Sequence, residues 1–316
     1  MLLTRRSMLT LTAAGLAAPA IGRADTPLRV VATTGMIADA ARAIAGEAAE
    51  VTALMGPGVD PHSYRQTRTD IVALSRADLV LWNGLYLEAQ LEGLLLDLGR
   101  KTSVVAVAEA APEADLLRHS EYEGRTDPHL WMAPRLWSHA VTATRDAMLA
   151  LRDEPTFVEN AARLLAEIET VDAKARDALS TVPEAARVLV TAHDAFGYFG
   201  REYHFEVMGI QGISTQSEAG LARIAELVDT LVARRIPAVF VESSVSDRNI
   251  RALIEGAAAQ GHDVRIGGEL FSDAMGEPGT WEGTYVGMID HNVTTITRAL
   301  GGDAPETGFF GRLGSA

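Results

Sequence analysis

The chain has 316 residues, 47% of them hydrophobic, which is enough for an ample core and two compact domains. Its formal net charge of −14 argues against nucleic acid or an anionic membrane as a partner and is compatible with a cation ligand. The absence of cysteine from the sequence excludes disulfides and thiolate metal ligands.

Residues 1–24 have the pattern of a cleavable export signal. Arg5 and Arg6 precede an apolar run, and small residues follow as far as Ala24. The run is too short and too rich in Ala and Gly to anchor the protein in a membrane, and a buried N-terminal helix fits the pattern less well. The arginine pair is typical of twin-arginine signals, although general secretion signals also carry such pairs. Because no cysteine is present to carry lipid, we expect a soluble periplasmic protein that is not a lipoprotein.

Beyond the signal, short apolar runs alternate with amphipathic helical patterns. Strands are predicted at residues 28–34, 50–55, 78–84 and 102–108. Helices are predicted between them, at residues 36–46, 68–77 and 88–99. This alternation favours a parallel sheet covered by helices on both faces, and we expect an N-terminal α/β lobe over residues 25–153.

A long helix divides the chain. Residues 134–152 are predicted to be helical, and residues 155–179 form a longer pattern with Pro155 in its first turn and Pro183 just beyond its end. Its apolar positions follow three-four spacing: Val158, Ala161, Leu164, Leu165, Ile168 and Val171. We therefore expect a linking helix over residues 154–182.

After this helix the alternation resumes. Strands are predicted at residues 187–192, 205–210, 238–243 and 263–268, and helices near 195–202, 218–235, 246–260 and 284–300. A second α/β lobe is expected over residues 183–301, followed by a flexible tail over residues 302–316. The predicted fold class is α/β, with two lobes that each contain a mainly parallel sheet flanked by helices, joined by one long backbone helix.

Three of the eight histidines share a position relative to the predicted strands. His62 follows the second strand in a loop rich in Gly and Pro, His129 lies in the loop after the fourth, and His193 directly follows the fifth. Because ligands of open α/β sheets bind at the carboxyl ends of strands, these imidazoles can converge on one crevice. The remaining histidines lack matching partners and are predicted to be exposed or structural: His119, His139, His204, His262 and His291.

The tripeptide Asp-Pro-His occurs twice, ending at His62 and at His129. Proline fixes its own φ and biases the preceding residue towards an extended conformation, so each histidine is presented on a stiff loop. Asp60 and Asp127 can accept the second ring N–H of these histidines, as orienting groups do at metal sites, and a backbone carbonyl would serve equally. Asp-Pro can also be simple turn chemistry, but the repeat in an exported chain without cysteine favours metal ligation.

A carboxylate after the last predicted strand can complete the site. The segment GGELFSDAMG offers Glu269 and Asp273, and its pattern does not choose between them. Three imidazoles and one carboxylate make a closed tetrahedral set for zinc or a partial set for manganese. Catalytic zinc more often keeps one position open for water, so a fourth protein ligand separates a metal carrier from a hydrolase.

Enzyme signatures are absent or weak in the sequence. It contains no Gly-rich phosphate loop, no Gly-x-Ser-x-Gly elbow and no HExxH helix. Ser243 and Ser244 lie beside Glu242, but no base is positioned there, and we interpret the segment as a strand end followed by a helix N-cap. The sequence therefore predicts no enzyme activity.

Several stretches resemble the metal-specific solute-binding proteins of ABC importers, the cluster A-I or TroA-like family. They are GPGVDPHSYRQTRTDI, ADLVLWNGLYLE, DPHLWMAP, TAHDAFGYFGREY, AVFVESSVS and GGELFSDAMGEPGTWEGTYVGMIDHN, and in this order they cover nearly the whole mature chain. The resemblance implies two α/β lobes bridged by one long helix, with the metal in the cleft between them. By position, it implies the ligands His62, His129, His193 and Asp273.

The resemblance also bears on the metal. Members regarded as manganese-specific tend to carry Glu at the position of His193, whereas zinc binders and the mixed type carry His. Three imidazoles suit Zn²⁺, so we expect one Zn²⁺ per chain as transported ligand, with Mn²⁺ as the second choice. Many zinc-specific members carry a long His- and Asp-rich loop, but here residues 109–126 are short and contain only His119, which favours the mixed type.

The implied function is capture of the ion by a monomer and its delivery to the membrane subunits of an ABC permease, with a periplasmic metallochaperone as a further candidate partner and no nucleic acid. An exported zinc-dependent hydrolase using the same histidines is the alternative. A surface adhesin, or a binder of chelated iron or corrinoid on a similar scaffold, is a third possibility. A bulky chelate would not need four converging ligands, so its binding would survive the loss of His62.

Overall fold

The computed structural model describes residues 26–118, 124–217 and 220–314, so the predicted signal and His119 lie outside the described residues. The strands are β1 (Leu28–Ala32), β2 (Ala49–Ala53), β3 (Leu79–Trp82), β4 (Ser103–Ala106), β5 (Val188–His193), β6 (Glu206–Gln211), β7 (Ala238–Glu242) and β8 (Arg265–Leu270). The α-helices are α1 (Gly35–Ala45), α2 (Arg68–Arg76), α3 (Glu92–Leu98), α4 (Pro134–Leu149), α5 (Pro155–Ser180), α6 (Gly197–Tyr203), α7 (Leu221–Arg234), α8 (Arg248–Ala259) and α9 (Tyr285–Ala299).

The first lobe is built on a four-stranded parallel sheet in the order β2-β1-β3-β4. All four residues of the central strand β3 are buried, as expected for a parallel strand covered on both faces. The prediction for β4 extended too far, because the chain leaves the sheet after Ala106 and forms a 3₁₀ turn over Val107–Ala110. The predicted α/β class and parallel pairing are confirmed.

The strands of the second lobe form two parallel hydrogen-bonded pairs, β5 with β6 and β7 with β8. Strands β5 and β7 pack beside each other, so their carboxyl ends come together although a long stretch of chain separates them. A register shift at Val239 and Phe240 interrupts the β7-β8 ladder. This side-by-side packing brings His193, at the end of β5, next to Glu242, at the end of β7.

Helix α5 links the lobes and contacts α1, α4, α6 and α9. Its 26 residues make it about 39 Å long at 1.5 Å per residue. Its buried stripe differs at one end from the prediction, because Phe157 points into the core while Val158 is 48% exposed. No helix in the described ranges is both long and apolar enough to cross a membrane.

The prediction of a flexible tail is wrong for residues 302–314, which pack against the second lobe. The buried carboxylate of Asp290 accepts the backbone N–H of Phe309 at 2.8 Å and the indole N–H of Trp281 at 2.9 Å. Leu313 is buried as well. Because a buried carboxylate must be hydrogen-bonded, Asp290 holds this segment in place.

Candidate metal centre

Four buried side chains meet between the lobes: His62, His129, His193 and Asp273. One ligand atom from each lies within 4.8 Å of the other three. The carboxylate of Asp273 lies 3.2 Å from His193 Nε2, 3.4 Å from His129 Nε2 and 3.6 Å from His62 Nε2. Four ligand atoms at ~2.0–2.1 Å around a tetrahedral ion would be about 3.3 Å apart, so the separations suit a metal ion.

The ends of strands bring these groups together. His193 is the last residue of β5, His62 lies in the loop that follows β2, and Asp273 lies in the loop that follows β8. His129 precedes the 3₁₀ turn Leu130–Met132 that leads into α4. The crevice at the carboxyl ends of the strands is therefore the position that the sequence pattern predicted.

The structure distinguishes the two carboxylates that the sequence left open. Glu269 is an exposed residue of β8, and its neighbour Leu270 is buried, as strand alternation requires. Asp273, beyond the strand, turns into the cluster with 2% of its surface exposed. Only Asp273 of the pair joins the histidines.

Three buried polar atoms of the cluster have no hydrogen-bond partner in the part of the chain that the structure describes. They are Nε2 of His193 and both carboxylate oxygens of Asp273. Buried polar atoms in folded proteins are nearly always partnered, because an unpaired one costs about 1–3 kcal/mol. Their convergence indicates a site for a cation.

Carboxylates outside the cluster hold two of the imidazoles. Asp127 Oδ1 accepts from the Nδ1 of His129 at 2.7 Å, as the sequence predicted. Glu242 Oε2 lies 2.5 Å from His193 Nδ1, and its Oε1 accepts the backbone N–H of His193 at 2.9 Å. Each contact leaves Nε2 of the ring available to an ion, which is the usual arrangement of ligating histidines.

Asp60 has a different role from the one predicted. Its carboxylate accepts the backbone N–H of His62 at 2.8 Å and the hydroxyls of Ser63 and Thr215 at 2.8 and 2.6 Å. It therefore fixes the loop that carries His62. Gln216 adds a second hydrogen bond from the other lobe, from its amide N–H to the carbonyl of His62.

The electrostatics of the cluster favour positive charge on two of the three imidazoles and keep Asp273 ionised. Burial lowers the pKa of His62 to about 4. Burial also acts to lower the pKa of His129, but the carboxylates of Asp127 and Asp273 outweigh it and raise that pKa to about 9. Burial acts to raise the pKa of Asp273, yet the three imidazoles hold it well below its usual range. The centre thus stabilises a cation beside an ionised carboxylate.

The other described histidines lie outside the cluster. His262 Nε2 is 2.8 Å from the carbonyl of Ile236, and His291 Nε2 is 2.9 Å from the carbonyl of Glu269. His204 is exposed, in the left-handed conformation that ends α6. The remaining described histidine, His139, is half-buried on α4 and also lies outside the cluster.

A buried His₃Asp cluster between two α/β lobes defines a metal-ion-binding protein of two lobes. The chain belongs to the family of zinc-uptake complex component A, periplasmic, whose family model matches residues 30–299. The resemblance seen in the sequence is therefore confirmed.

Two relatives and one solved structure illustrate the similarity. The chain is 49% identical over 280 residues to the manganese-binding lipoprotein MntA of Bacillus subtilis (strain 168), covering 88% of this chain and 91% of that protein. It is 46% identical over 279 residues to the zinc-binding protein TroA of Treponema pallidum (strain Nichols), covering 88% and 90%. The structure of the periplasmic zinc-binding protein TroA from Treponema pallidum matches with a TM-score of 0.85 at 46% identity, covering 87% of this chain and 99% of that one.

Proposed function

We propose that the protein is an extracytoplasmic solute-binding protein that captures one divalent transition-metal ion between its lobes and delivers it to an ABC permease. The observation that carries the proposal is the convergence of three imidazoles and one carboxylate in which three buried atoms lack hydrogen-bond partners among the described residues. His62, His129, His193 and Asp273 are the proposed ligands. The membership of the chain in a family of periplasmic zinc-uptake components supports the transport role.

Zinc is the favoured ion and manganese the second. Three neutral imidazoles suit zinc, whereas manganese prefers a larger share of oxygen ligands and binds more weakly to a given nitrogen site. The contacts of 3.2 to 3.6 Å between Asp273 and the three rings are close to those of a tetrahedral zinc site. The two relatives are named for different ions, one for manganese and one for zinc.

We propose a soluble, monomeric periplasmic form of the protein, released by cleavage after Ala24. The Bacillus subtilis relative is named a lipoprotein. The 316 residues here contain no cysteine, the residue to which a lipoprotein anchor is attached. The permease, and a periplasmic metallochaperone, are the proposed partners.

The hydrolase alternative requires an open coordination position and room for a substrate. Asp273 lies within 3.6 Å of all three imidazole Nε2 atoms, which favours a closed set of four protein ligands. The cavity that His62 lines measures about 80 Å³, well below the ~300 Å³ of small ligand pockets, and none of the four ligands lines the cavity of about 550 Å³ beside Asp60. Both observations favour a carrier of the bare ion over a hydrolase or a chelate binder.

A competitive titration of residues 25–316 with zinc and manganese, read by native mass spectrometry, tests the proposal. We expect one zinc per chain, undisplaced by manganese, and its loss in His193→Ala. His262→Ala is the matched control, because this histidine contacts a backbone carbonyl away from the cluster, and it should keep its zinc. Comparable retention of manganese would assign the protein to the mixed zinc/manganese type. If neither ion binds stoichiometrically, the proposed four-ligand site is wrong.

A further inference from the structure

Asp273 differs from its two best-anchored partners in how its position is fixed. The rings of His129 and His193 are each held by a carboxylate, Asp127 and Glu242. Neither oxygen of Asp273 has a hydrogen-bond partner within the described ranges. Beyond its contacts with the imidazoles, the carboxylate therefore depends on the backbone that carries it.

That backbone is held at the two residues before Asp273. The side chain of Asn292, on α9, accepts the N–H of Phe271 at 2.9 Å and donates to its carbonyl at 2.7 Å. The indole N–H of Trp131 donates to the carbonyl of Ser272 at 2.8 Å. The first anchor comes from the second lobe itself, whereas the second comes from the first lobe.

Trp131 contacts ligand-bearing segments from both lobes. It lies in the 3₁₀ turn that His129 caps, and its ring meets the ring of His129 edge-on at 5.2 Å between centroids. Its own carbonyl accepts the hydroxyl of Tyr285 at 2.8 Å. The side chain is fully buried, with no measurable exposure.

We infer that Trp131 is a positioning residue for the metal centre: its indole N–H fixes Asp273 relative to His129 across the boundary between the lobes. The inference rests on the proposed metal-binding function. Without this donor, the buried carbonyl of Ser272 loses its partner, and the loop that carries Asp273 can move away from the imidazoles. A ligand that is held less firmly gives a faster exchange of the ion and a less defined coordination geometry.

Trp131→Phe tests the inference, and Trp137→Phe is its matched control. Both indoles are buried, but Nε1 of Trp137 has no hydrogen-bond partner in the described part of the chain. The ring of Trp137 stacks on that of Tyr285, whereas Trp131 contacts the Tyr285 hydroxyl through its main-chain carbonyl. The two substitutions therefore remove the same atoms, and only one removes a hydrogen bond. Replacement of either tryptophan by 3-benzothienylalanine substitutes sulfur for the indole N–H and nearly keeps the ring volume, which covers the case in which a phenylalanine variant does not fold.

The readouts are ion stoichiometry, the rate of zinc transfer to an excess of chelator, and the visible absorption of the cobalt(II)-substituted protein. In both kinds of variant at Trp131 we expect one ion per chain, zinc released at least tenfold faster than from the unmodified protein, and an altered cobalt spectrum. Substitutions at Trp137 should leave the rate within twofold and the spectrum unchanged.

An unchanged release rate and spectrum in the benzothienylalanine variant at position 131 would overturn the inference. Equal effects at positions 131 and 137 would overturn it too, since they would reflect packing alone. These outcomes are separate from a failure of the proposed function, which would appear as a lack of stoichiometric zinc in the unmodified protein.

Discussion

At the residue scale, the imidazole of His193 is held by a carboxylate from another strand. Glu242 contacts both Nδ1 and the backbone N–H of His193, at 2.5 and 2.9 Å, and both residues are buried. A negative charge behind the ring makes Nε2 a stronger donor to a cation and fixes the direction of its lone pair. Glu242 is thus expected to tune affinity without contacting the ion.

Glu242→Gln keeps the shape of this side chain and removes its charge. We expect one zinc per chain to remain bound, with affinity lowered about 10–100-fold, the usual effect of losing such a partner. Competition with a chromophoric chelator measures the change. Glu269→Gln, an exposed position of β8, is the control and should bind as the unmodified protein does. A Glu242→Gln variant with unchanged affinity would contradict this role.

The residues of the centre show what a sequence can reveal. The three histidines were recognisable because each follows a predicted strand, and the resemblance to a known family supplied Asp273. The contact between Glu242 and His193 could not be predicted from the sequence. The two residues are separated by 49 positions and meet only through the packing of β5 beside β7. The only signal was a charged residue at the end of the apolar run AVFVE.

At the element scale, α5 packs against helices of both lobes. Its buried stripe was predicted from three-four spacing, except that Phe157 takes the place expected for Val158. Spacing alone cannot choose between adjacent apolar residues at the first turn, where the direction of chain entry decides which one faces the core. The tail was mispredicted for a related reason, since its polar and glycine-rich composition does not reveal the buried Asp290 that holds it.

Ile168→Ala measures the contribution of this stripe. Ile168 is 1% exposed at the middle of α5, and truncating a buried isoleucine destabilises a protein by about 2–5 kcal/mol. Val158→Ala, on the same helix but 48% exposed, should change the free energy of unfolding by only about 0.5 kcal/mol. Urea unfolding of the metal-free variants gives both values. Equal losses from the two substitutions would contradict the burial pattern.

Asp39 joins α1 to the start of α9. Its carboxylate accepts the backbone N–H of Tyr285 at 2.8 Å. Burial raises the pKa of Asp39 from 3.8 to about 6, although the Tyr285 hydrogen bond and Arg42 act in the opposite direction. A carboxyl group whose pKa rises on folding stabilises the folded state fully below its unfolded pKa, and that contribution is lost as the pH rises through the folded pKa.

We expect this group to lower the free energy of unfolding by up to ~3 kcal/mol as the pH rises from about 4 to above 6, at ~1.4 kcal/mol per pKa unit. Asp39→Asn keeps an acceptor oxygen and should remove this component. Urea unfolding of the metal-free protein across this range measures it as the difference between variant and parent. The exposed Asp97→Asn serves as the control. A difference that is the same at every pH would contradict the assignment.

At the scale of the whole molecule, the two lobes share one core. The largest hydrophobic cluster joins residues of the first lobe, such as Ile44, to residues of α5 and to residues of α9, such as Val293. A wide rotation of one lobe against the other would expose part of this cluster to water. Such exposure costs a free energy of about 25 cal/mol per Å² of apolar surface. Release of the ion is therefore expected to proceed by movement of loops.

Solution X-ray scattering with and without zinc tests this expectation. Loop movement leaves the radius of gyration unchanged within error, because the lobes keep their relative positions. A periplasmic binding protein with hinged lobes, measured with and without its ligand, is a positive control for sensitivity. A clear increase in the radius of gyration on removal of zinc would favour rotation of the lobes.

The two lobes are expected to bind one ion through four side chains. Anomalous diffraction at the zinc edge, from crystals of the zinc-loaded protein, tests it most directly. We expect a single zinc bonded to Nε2 of His62, His129 and His193 and to a carboxylate oxygen of Asp273, at about 2.0–2.2 Å. Zinc located elsewhere, or bonded to the imidazoles with water in place of Asp273, would contradict it.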